Sequence, residues 1–504
     1  MPKRHISAVR RDRRPLEVGD VLRRRFDAIR AEQDVPEEFP VEVLAEAEEA
    51  RTSARDLPER DETAVPFITI DPPGSMDLDQ ALHIEEDDTV EAGGFRVRYA
   101  IADVPAFVKP NGPIDRESRR RGQTIYAPDR RTPLHPPVLS EGAASLLPRQ
   151  VAPAYVWDIR LAADGSVRSG TVYRAMVRSV ERTDYETVQR LVDEGTAEGT
   201  VALLATVGPL RMERELARGG ASLPMPEQQV LRDDDGTYAL RFRPPLASEE
   251  WNAQISLLTG MVAANIMLRH KVGILRTLPP PTKKTVAMFR RSARAMGVPW
   301  RTDVAYGAFL RSLDRTDPMH LALIFEATTL FRGSGYTVMR GETPGQPLHA
   351  AVAAPYAHVT APLRRLVDRF GLLVCAALET GEAVPQWVTD ALPTLPDIMR
   401  ETDRRSSAVE RAAADAVEAA VLRDDIGRAF PAVVVDRVGS RSDGDLVVQV
   451  LDPAVVARAE GSARLGSDVT AELTVAEIET SSVRFRLADG ARRPAHTAAR
   501  LVSG

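Results

Sequence analysis

Residues 67–80 read FITIDPPGSMDLDQ, and the order of residue types in this stretch decides how the chain is divided. Phe67 to Ile70 is strand-like, Asp71 ends the run, and Pro72-Pro73-Gly74 makes a turn before MDLDQALHIE begins at Met76. An extended segment from Met76 sets Asp77 and Asp79 on one face and Met76 and Leu78 on the other. Farther on, FRVRYAIAD (95–103) alternates Phe95, Val97, Tyr99 and Ile101 with Arg96 and Arg98, so the two runs predict a β-hairpin joined by an acidic, glycine-containing loop. Asp71, Asp77 and Asp79 fall within nine positions. Carboxylates this close repel unless a hard cation or shared protons neutralise them. Spacing alone leaves a second reading open, an acidic turn standing in water, because aspartate is common in turns and D-x-D is a weak motif.

On the N-terminal side, residues 1–60 read as a basic arm followed by charged helical sequence, VLRRRFDAIRAEQ and VEVLAEAEEARTSARDL, broken at Pro36 and Pro40. On the C-terminal side, apolar spacing is helical from Thr183 to about Ala217 and from Glu249 to Lys271, and helical readings recur through Leu422. After Asp425 the texture turns to strands, FPAVVVDRV, DLVVQVLD, SDVTAELTV and SSVRFRLAD, separated by Gly, Ser and Asp turns. Four or five such strands predict a small oligonucleotide-binding-type barrel. The expected organisation is α+β: an N-terminal segment (1–60), a catalytic body (61–425) and a terminal barrel (426–504).

The 504 residues, 43% hydrophobic and 27% charged with no apolar run of membrane-spanning length, exclude disorder, collagen and a helical membrane protein. A net charge of −6 argues against holding a polyanion by general surface charge, so any nucleic acid must meet a local basic channel. Arginine outnumbers lysine 61 to 5, which suits bidentate phosphate contacts and equally reflects genome composition. The single cysteine, Cys375 in LLVCAAL, reads as a buried small residue, so disulfides and cysteine-held zinc are out. The basic N-terminus lacks the apolar segment of a secretory signal, and a cytoplasmic location is expected.

Five blocks in order carry a family resemblance: IDPPGSMDLDQAL, YAIADVPAFV, RRRGQTIYAPDRRTPLHPPVLSEGAASLLP, YAHVTAPLRRLVDRF and RRSSAVERAAADAV. Together, from about Thr69 to Leu422, they resemble the catalytic RNB domain of the ribonuclease II family, without a counterpart in residues 1–60 for that family's two cold-shock barrels. The resemblance implies a metal-dependent exoribonuclease that removes nucleotides hydrolytically from RNA 3′ ends, at the bottom of a channel admitting one strand. It assigns Asp71, Asp77 and Asp79 to the acidic metal cluster, with Mg2+ or Mn2+ as cofactor. Where the family motif continues with a fourth acid this chain has Gln80, whose amide either ligates the cation, orients a ligand from behind, or faces the other side of the strand.

Tyr126, among Arg116, Arg119, Arg120, Arg121, Arg130 and Arg131, is similar to the family's aromatic that packs on terminal bases, while the residues alone also allow a half-buried strand tyrosine and a solvated arginine face. Arg364 matches the arginine that reaches the scissile phosphate, and Arg365 either contacts the next phosphate or pairs with Asp368. Glu410 matches a glutamate near the family's site; spacing alone makes it a surface partner for an arginine. His358 stands where the family often has a histidine and is expected, with Arg120 and Arg121, to contact RNA, although neither it nor His349 has metal-ligand spacing. Asp103 either supports the cluster or caps the next turn. At LLTGMVAAN the family's acidic pair is replaced by Leu258 and Thr259, so its sugar contact is not carried over. The terminal barrel shows no dense basic or aromatic stripe and reads as a packing module. The expected partner is single-stranded RNA with a free 3′ end, with no membrane and no protein partner legible. Two other functions stay open: an RNA-binding protein that lost turnover with the fourth acid, and a hydrolase of another phosphodiester.

Overall fold

The computed structural model describes residues 17–53, 56–89, 92–221, 223, 225, 227–232, 238–438 and 445–488. The basic arm expected before Glu17 lies outside the described residues. The first helices, α1 (Glu17–Glu32) and α2 (Val41–Thr52), break between Pro36 and Pro40 as the proline pair predicts. Helix α1 buries Leu22, Phe26 and Ile29, one stripe at helical spacing, against the long helix Leu395–Leu422 and the terminal barrel.

A closed five-stranded barrel follows, ordered β1 (Phe67–Ile70), β2 (Gln80–Glu86), β3 (Phe95–Ala102), β6 (Val151–Leu161) and β7 (Val167–Thr183); the short β4 (Ile125–Tyr126) and β5 (Arg131–Thr132) form a separate hairpin. The expected β2–β3 hairpin is present, antiparallel with Gln80 opposite Ile101, and β1 closes the barrel by parallel pairing with β7. Sequence patterning misses the β6–β7 hairpin, as it misses the pairs Glu227–Arg232 with Tyr238–Arg243 and Val272–Thr277 with Gly335–Arg340. Along β6, Tyr155, Trp157, Ile159 and Leu161 enter one core while Ala152, Ala154 and Val156 enter another. From Ala152 to Trp157 both faces are buried and the residues show no polar alternation, which begins only at Asp158 and Arg160.

Helices Tyr185–Asp193, Gly199–Arg218, Ala247–His270 and Leu366–Thr380 add to the main core, where Cys375 is fully buried as expected. The chain ends in a second closed barrel of strands Ala429–Arg437, Leu446–Val450, Val455–Glu460, Asp468–Glu477 and Ser482–Leu487. Among the described residues no helix is long and apolar enough to cross a membrane.

Candidate functional site

The segment between β1 and β2 does not continue the sheet; strand pairing resumes only at Gln80. Leu78 is fully buried and its N–H donates to Ser145 Oγ at 2.9 Å, while the Ser145 hydroxyl donates to the Met76 carbonyl at 2.6 Å. These two bonds pin the aspartate segment from outside. Asp79 is then turned inward, 4% exposed, where Oδ1 accepts from the Leu363 N–H at 2.7 Å and Oδ2 lies 3.4 Å from Arg364 Nε.

Two segments distant in sequence meet it there. The 360–366 loop is gripped from within by Asp368, fully buried, whose carboxylate accepts from the Ala361 N–H at 2.7 Å and from Arg365 at 2.7 and 2.9 Å. The same loop exchanges backbone bonds with 122–124: Thr124 N–H to the Arg364 carbonyl at 3.0 Å, and Leu366 N–H to the Gly122 carbonyl at 2.9 Å. Gly122 has φ +68°, and a Cβ there would collide with the Thr402 side chain at 2.4–2.9 Å, so only glycine lets the Leu395–Leu422 helix approach. From Gly122 the chain runs straight into the β4–β5 hairpin that carries Tyr126 and Arg131.

Tyr126 donates weakly to Asp77 Oδ2 at 3.5 Å, and Arg131 bridges Asp77 to Glu141, the latter at 2.8 Å. The hairpin tip is held by α1: Arg30, 1% exposed, donates to both carboxylate oxygens of Asp129 at 3.0 and 2.9 Å. Arg130 at the same tip pairs with Glu37 and, at 3.1 Å, with Asp27.

The electrostatics follow from this crowding. Burial lifts Asp71 to about 7; Arg364 opposes the rise and Asp77 adds to it. Burial also raises Asp79 well above the usual carboxylate range, against the pull of Arg364 and the Leu363 N–H. Arg364, by contrast, keeps 46% of its side chain open to solvent. A charged donor that touches a buried carboxylate yet faces open space is placed to meet a ligand.

The structure gives the other expected site residues definite partners. Arg121 is 2% exposed, stacked over Phe39 and bound to Glu117 and to the carbonyls of Pro133 and Glu38, so it holds the fold and is out of reach of RNA. Arg120 is 60% exposed and paired with Glu117 at 3.0 Å. Arg365 takes the Asp368 alternative. Gln80 accepts from the Tyr99 hydroxyl at 2.6 Å and donates to the Thr360 carbonyl at 2.6 Å, so its amide ties β2 to β3 and to the arginine loop. His358 pairs through Nδ1 with the Tyr336 hydroxyl at 2.7 Å. Glu410 accepts from Ser406 at 2.8 Å, on the helix that packs against β4. Asp103 caps the turn Val104–Ala106 and pairs at 2.7 Å with Arg174, which also pairs with Asp56.

Tyr99 and Glu141 were not singled out for the site by sequence reading. Tyr99 was legible only as an inward strand residue; nothing in its spacing announces a bond to Gln80.

Asp71, Asp77 and Asp79 offer only hard oxygen donors, and two of them are held toward their protonated forms without a cation, which suits Mg2+ or Mn2+. As the side chains stand, no three His, Cys, Asp or Glu among the described residues form a ready metal cage.

The sequence pattern of the RNB domain matches residues 59–374, and that of the RNase II-type exonuclease C-terminal S1 domain matches 428–488. The chain belongs to the RNB family. Its RNB domain is similar to the exosome complex exonuclease RRP44 homolog A of Arabidopsis thaliana, 28% identical over 60% of this chain and 33% of that protein. Ribonuclease R of Vibrio cholerae is 25% identical over 81% of this chain and 52% of its own length. The chain thus spans about a third to a half of these relatives. In fold, the RNB chain resembles the apo form of Mycoplasma genitalium RNase R, with a TM-score of 0.81 at 18% identity over 93% of this chain and 78% of that one. It also resembles yeast Ssd1, described as a pseudonuclease, with a TM-score of 0.66 at 14% identity over 89% of this chain and 57% of that one.

Proposed function

We propose that this RNB chain is a cytoplasmic, metal-dependent exoribonuclease that shortens single-stranded RNA from its 3′ end to nucleoside monophosphates. The observation that carries the reading is the meeting of buried Asp79 and solvent-facing Arg364 beside Asp71 and Asp77. Asp71, Asp77 and Asp79 would hold Mg2+ or Mn2+, which when bound supplies Lewis-acid polarisation of the phosphate and a water of lowered pKa. Arg364 donates to the non-bridging phosphate oxygens as charge grows on them. Burial raises the Tyr126 hydroxyl above its usual value, so it stays protonated as a donor while its ring offers a stacking surface to a terminal base. Glu410 is assigned the helical position beside this hairpin. Asp368 fixes Arg365 and the loop backbone, and so aims Arg364.

One observation favours a second reading, an RNA-binding protein without turnover: Gln80 stands in the acidic run with both ends of its amide engaged. End-labelled RNA and DNA incubated with and without EDTA separate the readings. The proposal expects RNA shortened stepwise only without EDTA. RNA bound and left intact supports the second reading, and equal loss of DNA points to a broader phosphodiesterase.

A further inference from the structure

Three of the four arginines of Pro113–Arg121 are matched by acids one turn away, Arg119 with Asp115, and Arg120 and Arg121 with Glu117, while Arg116 donates to the Asn111 carbonyl. Helix Lys283–Ala295, KKTVAMFRRSARA, is different. It carries Lys283, Lys284, Arg290, Arg291 and Arg294 and no acid, in a chain whose net charge is −6 and which has only five lysines. Among the described residues, none of these five side chains has a carboxylate at ion-pair distance. Lys283, Lys284, Arg291 and Arg294 are exposed, while Phe289 and Ala293 sit in a small core with Phe309 and Leu310. The cationic face is therefore open along the whole helix.

One arginine is also pre-oriented. Trp300 stacks on Phe309 at 4.5 Å and 8°, its N–H donates to the Val304 carbonyl at 2.9 Å, and the Arg290 guanidinium lies over its ring at 4.3 Å. A planar cation held on an aromatic ring presents its N–H edge with little entropy left to lose. Arg290, Arg294 and Arg301 surround a shallow cleft of about 370 Å³, with Arg301 partly neutralised by Asp303 at 2.7 Å.

The patch is joined by a short link to the strand pair that holds His358. Residues 278–282 join it to strand Val272–Thr277, a link of at most ~18 Å. That strand pairs with Gly335–Arg340, which carries the Tyr336 that holds His358.

We propose that the face of helix Lys283–Ala295, with the Arg290–Trp300 cleft, binds the phosphate backbone of the RNA strand outside the catalytic site. This rests on the RNA reading above and extends it to a second contact that only a long strand reaches. Neutralised phosphates release counterions, so affinity there depends steeply on salt, by a slope of about 0.7 per phosphate for single strands. The test uses the full chain in EDTA, with fluorescent RNAs of about 5 and about 30 nucleotides, the latter exceeding one binding module. Lys284→Glu/Arg291→Glu/Arg294→Glu is compared with wild type and with the triple Gln variant, all at exposed positions, with melting temperature as the check on folding. The expected result is loss of affinity for the long RNA by about tenfold or more and a salt slope lowered by about 2, with a smaller loss for the Gln variant and none for the short RNA. Unchanged long-RNA affinity, or equal losses for both lengths, overturns the patch and leaves the RNA reading standing. A wild-type chain that binds neither RNA overturns both, and makes an acidic protein surface the better partner for this helix.

Discussion

Two closed five-stranded barrels lie toward the two ends of the described chain, and they treat polar groups oppositely. In the first, the link between opening strands turns Asp79 into a buried position beside Arg364, and Asp103 and Thr69 are fully buried as well. In the terminal barrel Gln449 is the one buried polar residue among the described strands, and charges such as Arg458, Arg484 and Arg486 reach their acids loosely at 3.6–3.9 Å on the surface. Surface pairs of that kind contribute little. A buried carboxylate raised out of its normal range opposes folding, and the barrel that keeps such groups is the one beside which the proposed site lies.

The sharpest contrast between the barrels is in rate. Asp79→Asn removes the charge while its amide oxygen still accepts from the Leu363 N–H, so cleavage is expected to vanish while RNA affinity and melting temperature hold, whereas Arg484→Gln in the terminal barrel leaves single-turnover cleavage unchanged. Arg364→Ala comes next, with single-turnover rate falling by about 10²-fold or more if the guanidinium meets the transition state. An unchanged rate would make Arg364 a structural residue like its neighbour.

The pH dependence is a further handle on the first barrel. Asp71 is raised to about 7, so below that value it carries a proton that a cation must displace. The metal concentration giving half-maximal activity should fall as pH rises toward 7 and level off above it. In the metal-free protein the stability that Asp71 contributes should be fully present below the ordinary carboxylate pKa and be lost as pH climbs through 7. A metal requirement flat from pH 5 to about 8 would separate Asp71 from the cation.

Smaller effects are expected where the site is held rather than made. Gln80→Ala breaks the bonds to Tyr99 and Thr360 and should lower stability by about 1–3 kcal/mol without moving the metal requirement; a shift in that requirement would restore Gln80 as a ligand. Asp129→Asn weakens the grip of Arg30 on the Tyr126 hairpin, two residues to a strand and marginal alone. The length of the smallest product should change more than total decay, and identical end products would remove α1 from the account.

Particular residues show what reading the sequence alone could reach. The β2–β3 hairpin, the helices after Thr183 and the terminal barrel follow from alternation and helical spacing, because each has one wet face. Strand β6 opens on an apolar run, Ala152 to Trp157, buried on both faces, and only Asp158 and Arg160 interrupt it, which hid it from such a reading. The blocks around Asp79, Tyr126 and Arg364 were legible as chemistry, yet their juxtaposition depends on backbone bonds at Thr124, Leu363 and Leu366 that no side-chain pattern encodes. The roles of Arg119 and Arg121 were recoverable from their acids four residues earlier, Asp115 and Glu117. Arg131 and Gln80 were not, since their partners Asp77, Glu141 and Tyr99 come from other elements.

The central claim is that the Asp71–Asp79 segment binds a divalent cation. It is tested most directly by titrating Mn2+ into the metal-free full chain at neutral pH, following bound ion by electron paramagnetic resonance, for wild type and Asp79→Asn. The account predicts saturable binding by wild type that is lost or strongly weakened in Asp79→Asn. Equal Mn2+ uptake by the two proteins, or no uptake by wild type, would contradict it.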